Sequence, residues 1–211
     1  MQLIQLTLRE FLDNTAEGTP VPGGGSIAAL CGAMAAALAA MVARLTLNKK
    51  GYEEHGPAMR ELAREAIQLR DRLADYMDRD AAAYQEVISA LKLPRQTPAE
   101  QEVRRQTLQR ALEKAADVPL QVARSGVTLL GLFESVIRHG NRNAVSDAAA
   151  GVLAARAGIL AALYNVRINL NSLPDSPAAS DIRREIRQLE QTAATETGRL
   201  LTLAETVMEQ P

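Results

Sequence analysis

The 211-residue chain carries 24 basic and 25 acidic residues, and this near-even balance excludes the strong basic excess of a nucleic-acid binder. Apolar residues make up 47% but aromatics only 3%, with no Trp, so the core must be built from Ala, Leu, Ile, Val and Met. Such cores let helix axes approach at the short end of their usual spacing. The single cysteine, Cys31, excludes an internal disulfide and fits a reducing, cytoplasmic compartment. Residues 1–15 carry Arg9, Glu10 and Asp13 where a secretory signal needs an apolar core.

In chain order the signals are helical almost throughout. Thr7-Leu8-Arg9-Glu10 reads as a capping box opening a short helix to about Ala16. Gly18 to Gly25 reads as a loop, after which Ser26 caps an apolar helix to about Asn48. Lys49 to Pro57 is a turn-forming break. A long amphipathic helix follows over about 58–91, with Leu62, Ala66, Leu69, Leu73, Tyr76, Asp80, Tyr84, Val87 and Leu91 on one seam. Thr97-Pro98-Ala99-Glu100 opens the next helix, which runs to about Arg138 and should kink at Pro119. A break around Gly140 precedes a helix over 144–170, and Ser176-Pro177 opens the last. The expected fold is all-α, one domain over residues 1–211, an up-and-down bundle of long helices dimerising through small-residue faces.

From Ser26 to Ala43 no residue is charged, which is about the length that raises a transmembrane flag. Ala dominates the segment, whereas a spanning helix draws its insertion energy from Leu, Ile, Phe and Val. The central helix of a soluble domain or oligomer is the better reading, with no membrane partner.

Asp80 interrupts an apolar seam. It is either an edge or salt-bridged position, or a carboxylate whose burial tunes it for proton transfer near neutrality. Asp147 shares a face with Gly151, Ala154, Gly158, Ala161 and Asn165, and as a first-turn residue it also suits the helix dipole. Asn165 and Asn169 on that face need partners if buried. The Gly23-Gly24-Gly25-Ser26 run exposes backbone donors before a helix, an anion site by geometry, though glycine also serves tight turns. His139 is a general acid or a helix C-terminal cap, and His55 is expected to be solvated. With two histidines, one cysteine and no Glu-x-x-His pair, no metal centre is expected.

Pro20-Val21-Pro22-Gly23-Gly24-Gly25-Ser26 before an Ala-rich helix, Asp80 with Tyr84, the Leu93-Pro94 break and the Ala115-to-Leu120 stretch occur in order. So do Gly140-Asn141-Arg142-Asn143-Ala144-Val145-Ser146-Asp147 and Asn165-Val166-Arg167-Ile168-Asn169-Leu170. Together they resemble the formiminotetrahydrofolate cyclodeaminase/methenyltetrahydrofolate cyclohydrolase family, the helical half of the bifunctional formiminotransferase-cyclodeaminase. The formiminotransferase half is absent, so the expected activity is that of the helical unit alone.

The resemblance implies chemistry at one carbon between two folate nitrogens, with a tetrahydrofolate derivative as substrate and neither a metal nor a nucleophilic side chain required. Asp147 or Asp80 would act as acid/base, the other orienting the pterin or stabilising the cationic bridge, with His139 a further candidate. Asn141, Asn143, Asn165 and Asn169 would hydrogen-bond the pterin or its partners, and Gly23 to Ser26 would take a glutamate carboxylate. A non-catalytic helical oligomeric binding module is the alternative. In either case a homodimer or higher homo-oligomer is expected, with the site formed between subunits, because five long helices cannot easily surround an all-round apolar one.

Overall fold

The computed structural model describes residues 2–47, 49–174 and 176–210, and among these residues there is no strand. Six α-helices follow in order: α1 (Leu8–Ala16), α2 (Gly24–Leu47), α3 (Gly56–Leu91), α4 (Pro98–His139), α5 (Val145–Leu170) and α6 (Pro177–Glu209). Both expected capping boxes form, with Thr7 and Glu10 opening α1 and Thr97 and Glu100 opening α4. Ser26 is a correction. It is not the cap of α2, because Gly24 and Gly25 already lie in the helix and Ser26 sits buried in the first turn. The expected end at Asn48 lies outside the described residues.

Neighbouring long helices alternate in direction. Ser26 meets Met77 and Gly32 meets Leu73, so α3 runs antiparallel to α2. Gly158 lies against Ala28 and Gly151 against Leu38, so α5 is also antiparallel to α2. Asn169 reaches Ala115 while Gly151 reaches Phe133, which sets α4 against α5 in the same sense. Arg124 pairs with Glu185 and Arg199 with Glu134, running α6 alongside α4. The up-and-down bundle is therefore as expected. α4 continues through the buried Pro119.

Helix α2 occupies the middle, between α3 and α5. Its Ala28, Ala29, Ala35, Ala36, Ala39 and Ala43 are inaccessible to solvent. By length and composition α2, α4 and the segment Arg142–Leu170 could each cross a membrane, but much of their apolar surface is buried within the bundle. Among the described residues Met34, Met41 and Leu45 of α2 and Leu153, Tyr164 and Ile168 of α5 are large apolar side chains left exposed. The helices α3 and α4 are longer than α2 and project past its first turn as a hairpin. Here the apolar seam of α3 fades, since Tyr84 and Leu91 are exposed.

The α2–α5 contact is close enough to be backbone against backbone. A Cβ at Gly158 would lie 2.8 Å from the Ala28 carbonyl oxygen and 3.1 Å from the Gly32 nitrogen. Neither atom can swing away as a side chain would. Gly158→Ala should therefore destabilise by about 1–3 kcal/mol, as overpacking does. Gly198 is exposed within α6, and a methyl group added there would meet nothing within 4 Å, so Gly198→Ala should stabilise by about 0.5–1 kcal/mol. Thermal unfolding of the two variants should move in opposite directions, and a Gly158→Ala protein melting with wild type would show that this contact can yield.

Candidate active site

The first turn of α2 supplies the centre of the candidate site. Gly25 has no side chain because Asp80 of α3 fills its place: a Cβ there would fall 2.0 Å from Asp80 Oδ1. The Ser26 hydroxyl lies 3.1 Å from Asp80 Oδ2 and 3.2 Å from the Met77 carbonyl oxygen. The Ser26 backbone N–H also donates to the carboxylate. Asp80 thus serves the first turn of α2 from a different helix, as an acceptor for Ser26 near the positive end of α2.

Asp80 is held between opposing influences. Burial raises its carboxyl above the ordinary value, while the hydrogen bonds from Ser26 pull it down, and burial is the larger effect. Surface carboxylates elsewhere in the bundle move the other way, lowered by hydrogen bonds to neighbours, as for Glu102 (to about 2, through Arg105) and Glu134 (to about 2, through Arg199). Asp80 moves toward neutrality. Cys31 is also pushed up by burial, which keeps its thiol protonated and fits a packing role.

Asn165 completes this end. Its amide Nδ2 would be 3.1 Å from a Cβ at Gly24 and donates to the Ala161 carbonyl oxygen of its own helix at 2.9 Å. One turn on, Asn169 Nδ2 donates to the Ala115 carbonyl oxygen at 2.7 Å, tying α5 to α4. Asn169 thus has a structural bond where a substrate contact was expected. Gly23 stands just before the helix, its carbonyl accepting from Ile27.

The remaining candidates sit at the other end of the bundle. Asp147 lies in the first turn of α5. Asp147 and Asn165 are 18 residues apart, which is five turns and about 27 Å along one helix. Asp80, beside Asn165's end, and Asp147 therefore do not meet within one chain.

The motif at that far end mostly fastens the fold. Asn141 Oδ1 accepts from Lys49 Nζ at 2.6 Å and from the Asn143 N–H at 3.1 Å, while the Asn141 N–H donates to Thr46. Arg142 donates to the carbonyl oxygens of Val207 and Gln210, pinning the end of α6. Asn143 is exposed. His139, the last residue of α4, is exposed, and its ring lies 4.7 Å from that of His55, which is half-buried and not freely solvated as expected. Lys49 is the residue that sequence reasoning missed, having been absorbed into a turn-forming break; a lone lysine beside a helix end carries no periodic signal.

Two cavities of about 670 and 440 Å³ lie on the projecting α3–α4 hairpin. The first is lined by Ser89, Leu93 and Lys114 among others, the second by Arg95, Arg104 and Leu173. Neither is lined by Asp80 or Asn165, so the carboxylate that burial tunes lies outside both. Among the described residues no group of three His, Cys, Asp or Glu side chains is arranged to hold a metal ion.

Comparison with known proteins agrees with this helical fold. The family described as Formiminotransferase-cyclodeaminase matches residues 7–188. A methenyltetrahydrofolate cyclohydrolase of Methylorubrum extorquens is 38% identical over 87% of this chain and 88% of its own length. A formimidoyltransferase-cyclodeaminase of Rattus norvegicus is 32% identical over 94% of this chain, which spans 37% of that longer protein. The crystal structure of formiminotetrahydrofolate cyclodeaminase from Thermotoga maritima superposes with a TM-score of 0.79 at 32% identity, covering 97% of this chain and 96% of that one. With a glycine-opened central helix, a carboxylate seated on it and homologues matched over nearly its whole length, the chain belongs to the formiminotransferase-cyclodeaminase family.

Proposed function

We propose that the chain is a folate one-carbon enzyme working at the methenyl bridge, as a methenyltetrahydrofolate cyclohydrolase. The observation that carries this reading is Asp80, a carboxyl raised by burial and held on the open first turn of α2. The relative of nearly equal length supports the hydrolytic direction. The cyclodeaminase reaction is the second reading, favoured by the solved relative that superposes along almost the whole chain.

Both reactions ask for the same handling of protons. In hydrolysis, water adds to the bridge carbon and gives a proton to Asp80. The tetrahedral carbon then collapses: its hydroxyl gives up the remaining proton to solvent as the carbonyl forms, one carbon–nitrogen bond breaks, and the freed nitrogen takes the proton back from Asp80, so that neutral formyl folate and one net proton replace the cationic bridge and water. In cyclodeamination a folate nitrogen attacks the formimino carbon, and ammonia leaves once that nitrogen's proton has been passed on. A carboxyl raised toward neutrality suits both halves, accepting in one step and donating in the next. The exposed Gly24 leaves the α2 terminus open to an anionic group, for which the glutamate carboxylate of a folate is the natural occupant. We further take the protein to act as a cytoplasmic homodimer joined through the uncovered α2 and α5 face, without nucleic-acid or membrane partners.

The direct test follows the methenyl chromophore. Absorbance should decay when purified protein meets methenyltetrahydrofolate, or grow when it meets formiminotetrahydrofolate if the second reading holds. No change above the uncatalysed rate with either compound would overturn the proposal.

Asp80→Asn should lower turnover by about 10²–10⁴-fold, since a carboxamide keeps the shape but cannot exchange the proton. Its effect on stability should have the opposite sign. A raised folded-state value means the folded chain binds this proton more tightly than the unfolded one. Ionising Asp80 therefore costs stability as pH rises through the window between the ordinary carboxylate value and the raised one, and the whole cost is present above it. The Asn variant should melt higher than wild type above that window and lose the advantage in acid. Melting curves across pH that stay parallel would remove burial as the source of its tuning.

Gly25→Ala places a methyl where Asp80 now sits and should reduce kcat in the same manner. Gly24→Ala presses on Asn165 and the open turn, so it should raise KM more than it lowers Tm. Loss of Tm with unchanged KM would return Gly24 to a purely structural role.

A further inference from the structure

The aromatic rings of the chain come from four Tyr and two Phe, with no Trp. Phe11, Tyr76 and Phe133 are buried in the core. Tyr52 stands at the far end of the bundle, its hydroxyl accepting from the Arg142 N–H and its ring 5.8 Å from Lys49 Nζ. Tyr164 is 67% exposed, but the Arg167 guanidinium lies 5.4 Å from its ring. Tyr84 is the ring left over. It is 37% exposed, and among the described residues no cation lies against it and its hydroxyl has no hydrogen-bond partner.

Its place in the fold is set by Asp80. Tyr84 follows Asp80 by four residues on α3, one turn on along the same face. Long aromatic side chains on a helix lean toward its N-terminus, over the preceding turn. For Tyr84 that turn is the one carrying Asp80. Because α3 runs antiparallel to α2 and Asp80 fills the place of a Gly25 side chain, Tyr84 stands about 6 Å past the level of that glycine. There α2 runs out. Its first residue, Gly24, is itself exposed and has no side chain to cover the ring. Earlier on the same seam α3 is sealed, with Leu73 and Tyr76 buried. An open aromatic face thus stands one turn from the buried carboxylate.

What this face can do follows from the charge of the substrate. The methenyl bridge is a carbon between two nitrogens that share one positive charge, and the formyl product is neutral there. Asp80 is a poor counter-ion for that bridge, because burial holds its carboxyl up toward the protonated form. An aromatic face attracts a cation through its ring quadrupole, with no charge of its own to titrate. We infer that Tyr84 is a specificity-determining residue of the site, its ring face receiving the planar cationic bridge beside Asp80. This rests on the folate reading above and deepens it. The ring favours substrate over product, so the product leaves once the positive charge is gone. The two residues then divide the work: Tyr84 holds the charge, and Asp80 stays free to exchange protons. The protonated formimino group of the second reading has the same delocalised charge, so the role is common to both reactions.

Binding of two folates that differ in charge at the one-carbon unit decides it. Methenyltetrahydrofolate is the cation, and 5-formyltetrahydrofolate has a neutral group on the same skeleton. Both are titrated into Asp80→Asn protein, in which turnover is slowed, with Tyr, Phe or Leu at position 84. The position is exposed, so these substitutions should leave Tm close to that of the parent. Tyr84→Leu should weaken the methenyl compound by about 5- to 30-fold and the formyl compound by no more than about twofold. Tyr84→Phe keeps the ring face and should bind both nearly as the parent does. In otherwise wild-type protein, Tyr84→Leu should raise KM for methenyltetrahydrofolate while kcat holds, since the positive charge is already fading in the transition state. A loss shared equally by the two folates, no loss for either, or a Phe variant as weak as Leu overturns the charge-reading role of the ring. So does a fall in kcat that matches the rise in KM. If the unsubstituted protein binds neither folate, the folate reading fails and this inference with it. If it binds both and position 84 does not separate them, this inference alone fails.

Discussion

Everything in this fold follows from how closely α5 lies on α2. The contact is made through Gly158 against the backbone at Ala28 and Gly32, and through Gly151 against Leu38, where Phe133 of α4 also packs. Without large side chains between them the axes approach at the short limit, and the alanines of α2 are buried completely. The same closeness sets the level of Gly24 against Asn165 at one end and brings Thr46 to Asn141 at the other. Small residues here do more than save space: they fix the register on which both ends of the bundle depend.

A rigid register lets α3 deliver Asp80 into the place of a side chain that Gly25 lacks. The carboxylate is stabilised by the Ser26 hydroxyl and N–H and by the positive end of α2, yet burial still raises it. A purely structural cap would gain by being solvated and fully ionised. Here the fold holds the group where its charge is costly, and the surrounding packing maintains it. That tension is common where a group must change protonation during work.

Much of this was legible in the sequence, and what was missed has physical causes. The capping boxes at Thr7 and Thr97 depend on local spacing, so the starts of α1 and α4 were readable. The start of α2 was not, because Ser26 looks like a cap from its own segment but bonds across to α3. Asp80 stood out as a carboxylate on an apolar seam, while its partner helix was hidden until the register was known. The separation of Asp147 from Asp80 could have been reached from topology. In an antiparallel run of helices the end of α5 meets the start of α2, so the start of α5 must lie at the far end. Lys49 and the His55–His139 stack have no periodic or local signature and depend on tertiary approach alone.

The Gly140-to-Asp147 motif shows why a family signature cannot be read as a list of substrate contacts. Asn141 spends its oxygen on Lys49 and on the turn, and Arg142 fastens the end of α6. These bonds hold a helix start in one position relative to α2. Asp147, in that first turn, inherits the placement without a bond of its own to a distant element among the described residues. The motif's scaffolding residues and its one unclaimed carboxylate therefore belong to a single device: the first group builds a rigid end, and the last presents a charge from it.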